Sequence, residues 1–191
     1  MYILFLLLAA FLLLSIFSTN WPVKLYHHYF LQKLAGILET VPERYGFFFS
    51  GMYSQIQTIY RNKPLKIRFI EGSVDSLRTG SGLEIRTIVP SGAVLEFYRP
   101  RRNKREWGDF QRFLTGEQSI DSQWFILTND PVSAGLFWNS FHLQDLLNYP
   151  WLEQLLINRE ELIAQVGNYR SPEGVRKFLD LLVQAFPPSA G

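Results

Sequence analysis

Hydrophobic and polar positions divide this chain into three regimes. Residues 1–17 read Met-Tyr-Ile-Leu-Phe-Leu-Leu-Leu-Ala-Ala-Phe-Leu-Leu-Leu-Ser-Ile-Phe, with no charge, proline or glycine and with Ser15 as the only strongly polar side chain. A helix apolar on every side needs an apolar surrounding all round, either lipid or a large core. At about 1.5 Å per residue the run reaches about 25 Å, and continuing through Ser18, Thr19 and Asn20 to Trp21 brings it to the roughly 30 Å of a hydrocarbon layer. A secretory signal would add a basic n-region and a small-x-small cleavage site. Here only the α-amine precedes the run, and Ser-Ile-Phe-Ser-Thr-Asn is a poor cleavage site. The pattern therefore predicts an uncleaved single-pass transmembrane helix over residues 1–21. Phe5, Phe11 and Phe17 face lipid in this reading, and Trp21 sits at the headgroup level. Lys24, Lys33 and Arg44 lie on the C-terminal side and no Lys or Arg on the other. The bias places the body in the cytoplasm.

Residues 22–41 change period. Val23, Tyr26, Phe30, Leu34 and Leu38 recur at spacings of three and four, with Lys24, His28, Gln32 and Lys33 off the stripe. This predicts an amphipathic juxtamembrane helix, with Tyr26 and Tyr29 available for the membrane interface. Packing of the same stripe on the protein's own sheet is the alternative, and different faces can serve both.

From residue 42 to 188 the pattern is that of a water-compatible domain. Residues 45–50 and 54–60 are rich in Phe, Tyr and Ile, which suits strands. Residues 65–70 read Leu-Lys-Ile-Arg-Phe-Ile and residues 83–89 Leu-Glu-Ile-Arg-Thr-Ile-Val; residues 94–98 follow as Val-Leu-Glu-Phe-Tyr. Turn formers stand between them at 61–64, 79–82 and 90–92. Alternation with short turns predicts an antiparallel meander with one covered and one wet face. A short helix is expected over 107–114, then a buried strand over 123–128. Asn-Asp-Pro at 129–131 and Ser-Pro-Glu at 171–173 each read as a helix start, a capping side chain followed by proline. The first helix runs to about Trp138, and 141–149 continues it. Residues 153–158 and 161–166 form a hairpin. The last helix puts Val175, Phe178, Leu179, Leu182 and Phe186 on one face. The order gives an α+β fold: a transmembrane helix, then an antiparallel sheet with helices packed on one face.

Composition changes this picture little. The formal charge is +2 over 191 residues, which supplies no general attraction to nucleic acid, and the absence of cysteine excludes disulfides and thiolate metal sites. Sixteen Phe, nine Tyr and five Trp suit a membrane or partner interface and a well-packed core alike. The densest charge is Arg99, Arg101, Arg102, Lys104 and Arg105, a candidate contact for anionic headgroups or an acidic partner beside the plainer reading of a solvated loop. Adjacent His27 and His28 point about 100° apart on a helix, so they cannot share one metal; one could ligate a pigment or haem of a neighbour, against the plainer reading of interface histidines. Phosphate-binding glycine loops, Ser-His-Asp arrangements and His-Glu-x-x-His are missing from the sequence. No catalytic, cofactor or metal residue is nominated.

These readings converge on a non-enzymatic, membrane-anchored accessory or scaffolding subunit of a multi-subunit membrane complex, of the photosynthetic, respiratory or transport kind. Its partners would be membrane lipids and integral membrane subunits, not nucleic acid. The alternative is a bilayer-tethered domain that binds lipid or another hydrophobic ligand inside its sheet. An enzyme acting on a lipid-phase substrate is a third reading, which needs a polar cluster in a cleft.

Overall fold

The computed structural model describes residues 2–18, 21–45, 53–70, 82–89, 91–99, 109–167 and 171–187. The chain begins with α1 (Tyr2–Ser18) and α2 (Trp21–Ile37), followed by β1 (Glu43–Tyr45), β2 (Tyr53–Tyr60), β3 (Lys63–Ile70), β4 (Gly82–Ile88), β5 (Val94–Tyr98) and β6 (Gln111–Phe113). It continues through α3 (Gln118–Asp121), β7 (Phe125–Thr128), α4 (Pro131–Ser140), α5 (Gln144–Leu147), β8 (Leu152–Asn158), β9 (Glu161–Val166) and α6 (Pro172–Ala185).

Among the described residues nine strands form one sheet in the order β1-β2-β3-β4-β9-β8-β5-β7-β6. Every pairing is antiparallel. The fold is α+β, as the pattern predicts. β2, β3 and β4 form the expected meander, with Arg61 and Asn62 turning the first hairpin at positive φ. The meander does not run on into β5, however. The β8–β9 hairpin enters between β4 and β5, pairing Ile85 with Ala164 and Phe97 with Leu155.

Alternation explains which face is covered. Leu65, Ile67 and Phe69 of β3 are buried, as are Leu83 and Ile85 of β4, and Leu162, Ala164 and Val166 of β9. Leu155, Ile157, Leu95, Phe97 and Ile126 continue the same layer. Helices α2 and α6 lie against it, α2 packing on both β2 and α6. α6 contributes Val175, Phe178, Leu179, Leu182 and Val183, the face its sequence predicts. Both cap-plus-proline signals are realised. The Asp130 carboxylate accepts the N–H groups of Val132 and Ser133 at 3.1 and 3.2 Å, and Ser171 Oγ accepts the N–H of Gly174 at 3.1 Å.

Several expectations shift. Helix α4 stops at Ser140, because Phe141 is extended, and α5 is a separate single turn. In place of a helix over 107–114, residues 111–113 form edge strand β6; residues 101–108 lie outside the described residues. Residues 46–50 of the first expected strand also lie outside them, and β1 covers residues 43–45. The buried stripe of α2 is His27, Phe30, Leu31, Leu34, Ala35 and Leu38, whereas Val23 and Tyr26 are exposed. The helix is thus rotated by about one residue from the predicted stripe, which brings Leu31 and Ala35 onto the sheet. Finally, among the described residues no helix is long and apolar enough to cross a membrane. α1 spans 17 residues, about 25 Å, roughly one turn short of a hydrocarbon layer.

Candidate functional site

The most unusual surface of the molecule is α1. Its described side chains project away from the protein: Tyr2 is 88% exposed, Phe5 75% and Phe11 71%, with Ile3, Leu6, Leu7, Leu8 and Leu14 also bare. A contiguous apolar surface of this extent marks a place where something apolar belongs. The side chains of Phe17 and Trp21 lie outside the described residues. Tyr26 and Tyr29 are exposed on α2, within its first three turns. Phe5 and Phe11 are thus exposed on α1, and Tyr26 and Tyr29 on α2.

The basic run is only partly visible. Arg101, Arg102, Lys104 and Arg105 lie outside the described residues. Arg99 is half-buried and turned inward: Nε donates to the Leu152 carbonyl at 3.2 Å, Nη2 to the Tyr149 carbonyl at 3.5 Å, and the guanidinium lies 5.2 Å from the Trp124 ring centre. Its contacts join the end of β5 to the start of β8. His27 is buried, its ring stacked on Phe69 at 3.8 Å between centroids and 9° between planes. It cements α2 to β3, a role that its apolar neighbours do not announce in sequence.

The sheet face opposite α2 and α6 carries a charge ladder that sequence reasoning treats only as the wet side of alternating strands. Glu84, 5% exposed, accepts Arg68 Nε and Arg86 Nε at 2.6 Å each, and Arg86 Nη1 reaches Glu161 at 3.2 Å. The register produces it: Arg68 stands opposite Glu84 across β3 and β4. Burial pushes the Glu84 carboxyl up, but hydrogen bonds and charge from Arg68 and Arg86 outweigh that and hold it below its ordinary value of 4.5. Beside the ladder is an open depression of about 530 Å³, lined in part by Gln57, Ile59, Pro64, Lys66, Arg86 and Ile88.

Glu84→Gln removes the carboxylate that Arg68 and Arg86 share, while Arg86 keeps Glu161. Because both are partly exposed, the expected loss is about 1–2 kcal/mol at neutral pH, read from urea unfolding. A depressed folded pKa stabilises the fold above the unfolded value of 4.5 and loses that contribution as pH falls through the lower folded value. The difference between the wild type and the variant is therefore expected to shrink below pH 4.5.

On the covered side, the Tyr149 hydroxyl is pushed up to about 12 by burial and donates to the Gly174 carbonyl at 2.7 Å. The Tyr60 hydroxyl donates to Asp180 at 2.6 Å, and Arg61 pairs with the same carboxylate at 3.0 Å. These contacts hold α6 at its first turn and near its middle. Among the described residues no three His, Cys, Asp or Glu side chains are grouped to hold a metal ion.

Comparison with known proteins gives no family. No family model matches the chain, and no curated protein is similar to it. One solved structure, that of the mycobacterial trehalose monomycolate transport factor A, TtfA, is similar with a TM-score of 0.47 and 9% identity, over 86% of this chain and 98% of that one. A likeness at that level carries no argument about function.

Proposed function

We propose that this chain is a non-enzymatic, membrane-anchored accessory or scaffolding subunit of a membrane protein complex, with α1 held in lipid and the α+β body on the cytoplasmic side. The observation that carries the reading is the bare apolar surface of α1. Among the described residues nothing in the body covers those side chains, and burying each large one is worth about 1.5–3 kcal/mol relative to water. A helix of about 25 Å is accommodated in a bilayer by local thinning or by flanking residues that reach for the interface, at a modest cost per Å. The flanking Lys24 and Lys33 favour the cytoplasmic side for the body.

The non-enzymatic part rests on how the ionisable side chains are used. Glu84 is kept ionised between arginines, Asp180 is shared by Tyr60 and Arg61, and the Tyr149 hydroxyl is committed to a backbone carbonyl. Each closes a structural contact, and none is aimed into a cleft. A ligand enclosed between sheet and helices is not favoured, because Ile67, Ile85, Leu155, Phe178 and Leu182 fill that layer with no exposure.

The test is purification of the full chain from its native membrane in mild detergent. Integral membrane proteins are expected to co-migrate with it in a particle much larger than the 22.3 kDa chain. Recovery of the chain by itself would overturn the accessory-subunit reading.

A further inference from the structure

Strand register lays two rows of side chains next to each other on the sheet face opposite α2 and α6. In the first, Ile59 stands opposite Pro64, and Ile88 opposite Glu161. Pro64 and Ile88 align one step beyond the Leu65–Thr87 pair, and Thr87 Oγ1 donates to the Pro64 carbonyl at 2.8 Å. The second row, two residues along each strand, is Gln57, Lys66, Arg86 and Ile163. All but Ile163 line the open depression of about 530 Å³.

Two features set this depression apart from an ordinary wet sheet face. First, Ile59 is 75% exposed and Ile88 60%, although β2 and β4 both lie inside the sheet with a neighbour on each side. With exposed Pro64 between them they make an apolar bar about 10 Å long across three strands. Second, Lys66 stands directly opposite Arg86, and like charges in that position destabilise a sheet. Arg86 is compensated by Glu84 and Glu161. Half-buried Lys66 makes no hydrogen bond or ion pair through its side chain among the described residues.

We propose that the depression docks an acidic, apolar segment of a partner protein, whose carboxylate accepts from Lys66 while a neighbouring apolar side chain lies on Ile59, Pro64 and Ile88. The rows are about 7 Å apart, which is the spacing of residues i and i+2 in an extended segment and close to the 6 Å between i and i+4 of a helix. Glu84 and Glu161 bracket Arg86, so a broad anionic surface such as a lipid leaflet would meet two carboxylates, whereas one side-chain carboxylate meets Lys66 alone. The patch is about 14 Å wide and two rows deep, far below the roughly 800 Å² that each partner of a stable dimer contributes. That size suits a segment of a partner and not a second copy of this chain. The proposal rests on the accessory-subunit reading only in supposing a partner subunit, and it names the surface that would hold one.

The full chain in mild detergent is passed over an array of short peptides, blocked at both termini, in which Glu stands two or four positions from Leu or Ile. A matched array carries Gln in place of Glu. The Glu peptides are expected to bind several-fold more tightly, and Lys66→Gln to erase the difference. Ile59→Ser with Ile88→Ser is expected to weaken both sets. Lys66→Gln removes the like charge opposite Arg86, so its urea midpoint is expected to equal or exceed that of the wild type, which separates lost binding from lost folding. Equal binding of the two arrays, or a Glu preference that survives Lys66→Gln, would overturn the docking site and leave the accessory-subunit reading standing. Self-association of the chain that Lys66→Gln abolishes would also overturn it, by making a second copy the occupant. Recovery of the chain alone from its native membrane, with the Glu preference intact, would overturn the accessory-subunit reading and leave the docking surface.

Discussion

Lysine at both Leu7 and Phe11 is expected to move the full chain from the membrane pellet to the soluble or aggregated fraction. α1 contains seven Leu, three Phe and two Ile. On a scale of membrane insertion these contribute roughly −0.3 to −0.6 kcal/mol each, or about −4 to −7 kcal/mol together. Each lysine near the middle of the helix costs about 2.5–3.5 kcal/mol on the same scale, so two cancel the gain. Leu7→Ala with Phe11→Ala removes side-chain bulk without charge and is expected to remain in the pellet. Fractionation after alkaline extraction reads the difference. Retention of the double lysine variant in the pellet would show that something other than α1 holds the protein there.

Trp124→Ala is expected to be among the most destabilising single changes in the body. The indole is almost fully buried, its Nε1–H donates to the Leu147 carbonyl at 3.1 Å, and Arg99 lies over its face. Truncating a large buried aromatic costs about 3–5 kcal/mol, and the orphaned carbonyl adds about 1 kcal/mol or more. Against a typical total of about 5–15 kcal/mol, that leaves a marginal fold. Trp124→Phe keeps most of the packing and loses only the hydrogen bond, for about 1–2 kcal/mol. Urea midpoints of the two variants measure the split. Because Arg99 lies on this ring and joins β5 to β8, the alanine variant is also expected to loosen the Arg99 contacts with the Tyr149 and Leu152 carbonyls.

Much of this architecture is written locally. The caps at Asp130 and Ser171, the periodicity of α6, and the alternation in β3, β4 and β9 each state their element within a few residues, because side-chain direction follows backbone period. What is not written locally is pairing. The β8–β9 hairpin inserts between β4 and β5, β9 pairing with β4 and β8 with β5, and all four bury apolar side chains on the same face; nothing in any one segment alone says which neighbour it takes. The edge strands β1 and β6, three residues each, borrow their conformation from β2 and β7. Hydropathy does not mark a polar ring as core, so His27 falls outside the predicted stripe and with it the rotation of α2. Of the candidate site, the apolar helix is plain from its run of leucines. Arg99 belongs to a basic cluster by sequence, yet its carbonyl partners at Tyr149 and Leu152 are some fifty residues away. The Arg68–Glu84–Arg86 ladder likewise depends on a cross-strand register that short-range pattern does not encode.

The central claim is that α1 resides in lipid, and flotation of the purified, unmodified full chain with liposomes tests it most directly. The account predicts that the protein rises with the vesicles, resists extraction at alkaline pH, and requires detergent to stay monodisperse in their absence. A chain that remains at the bottom of the gradient, monomeric and detergent-free, would contradict it.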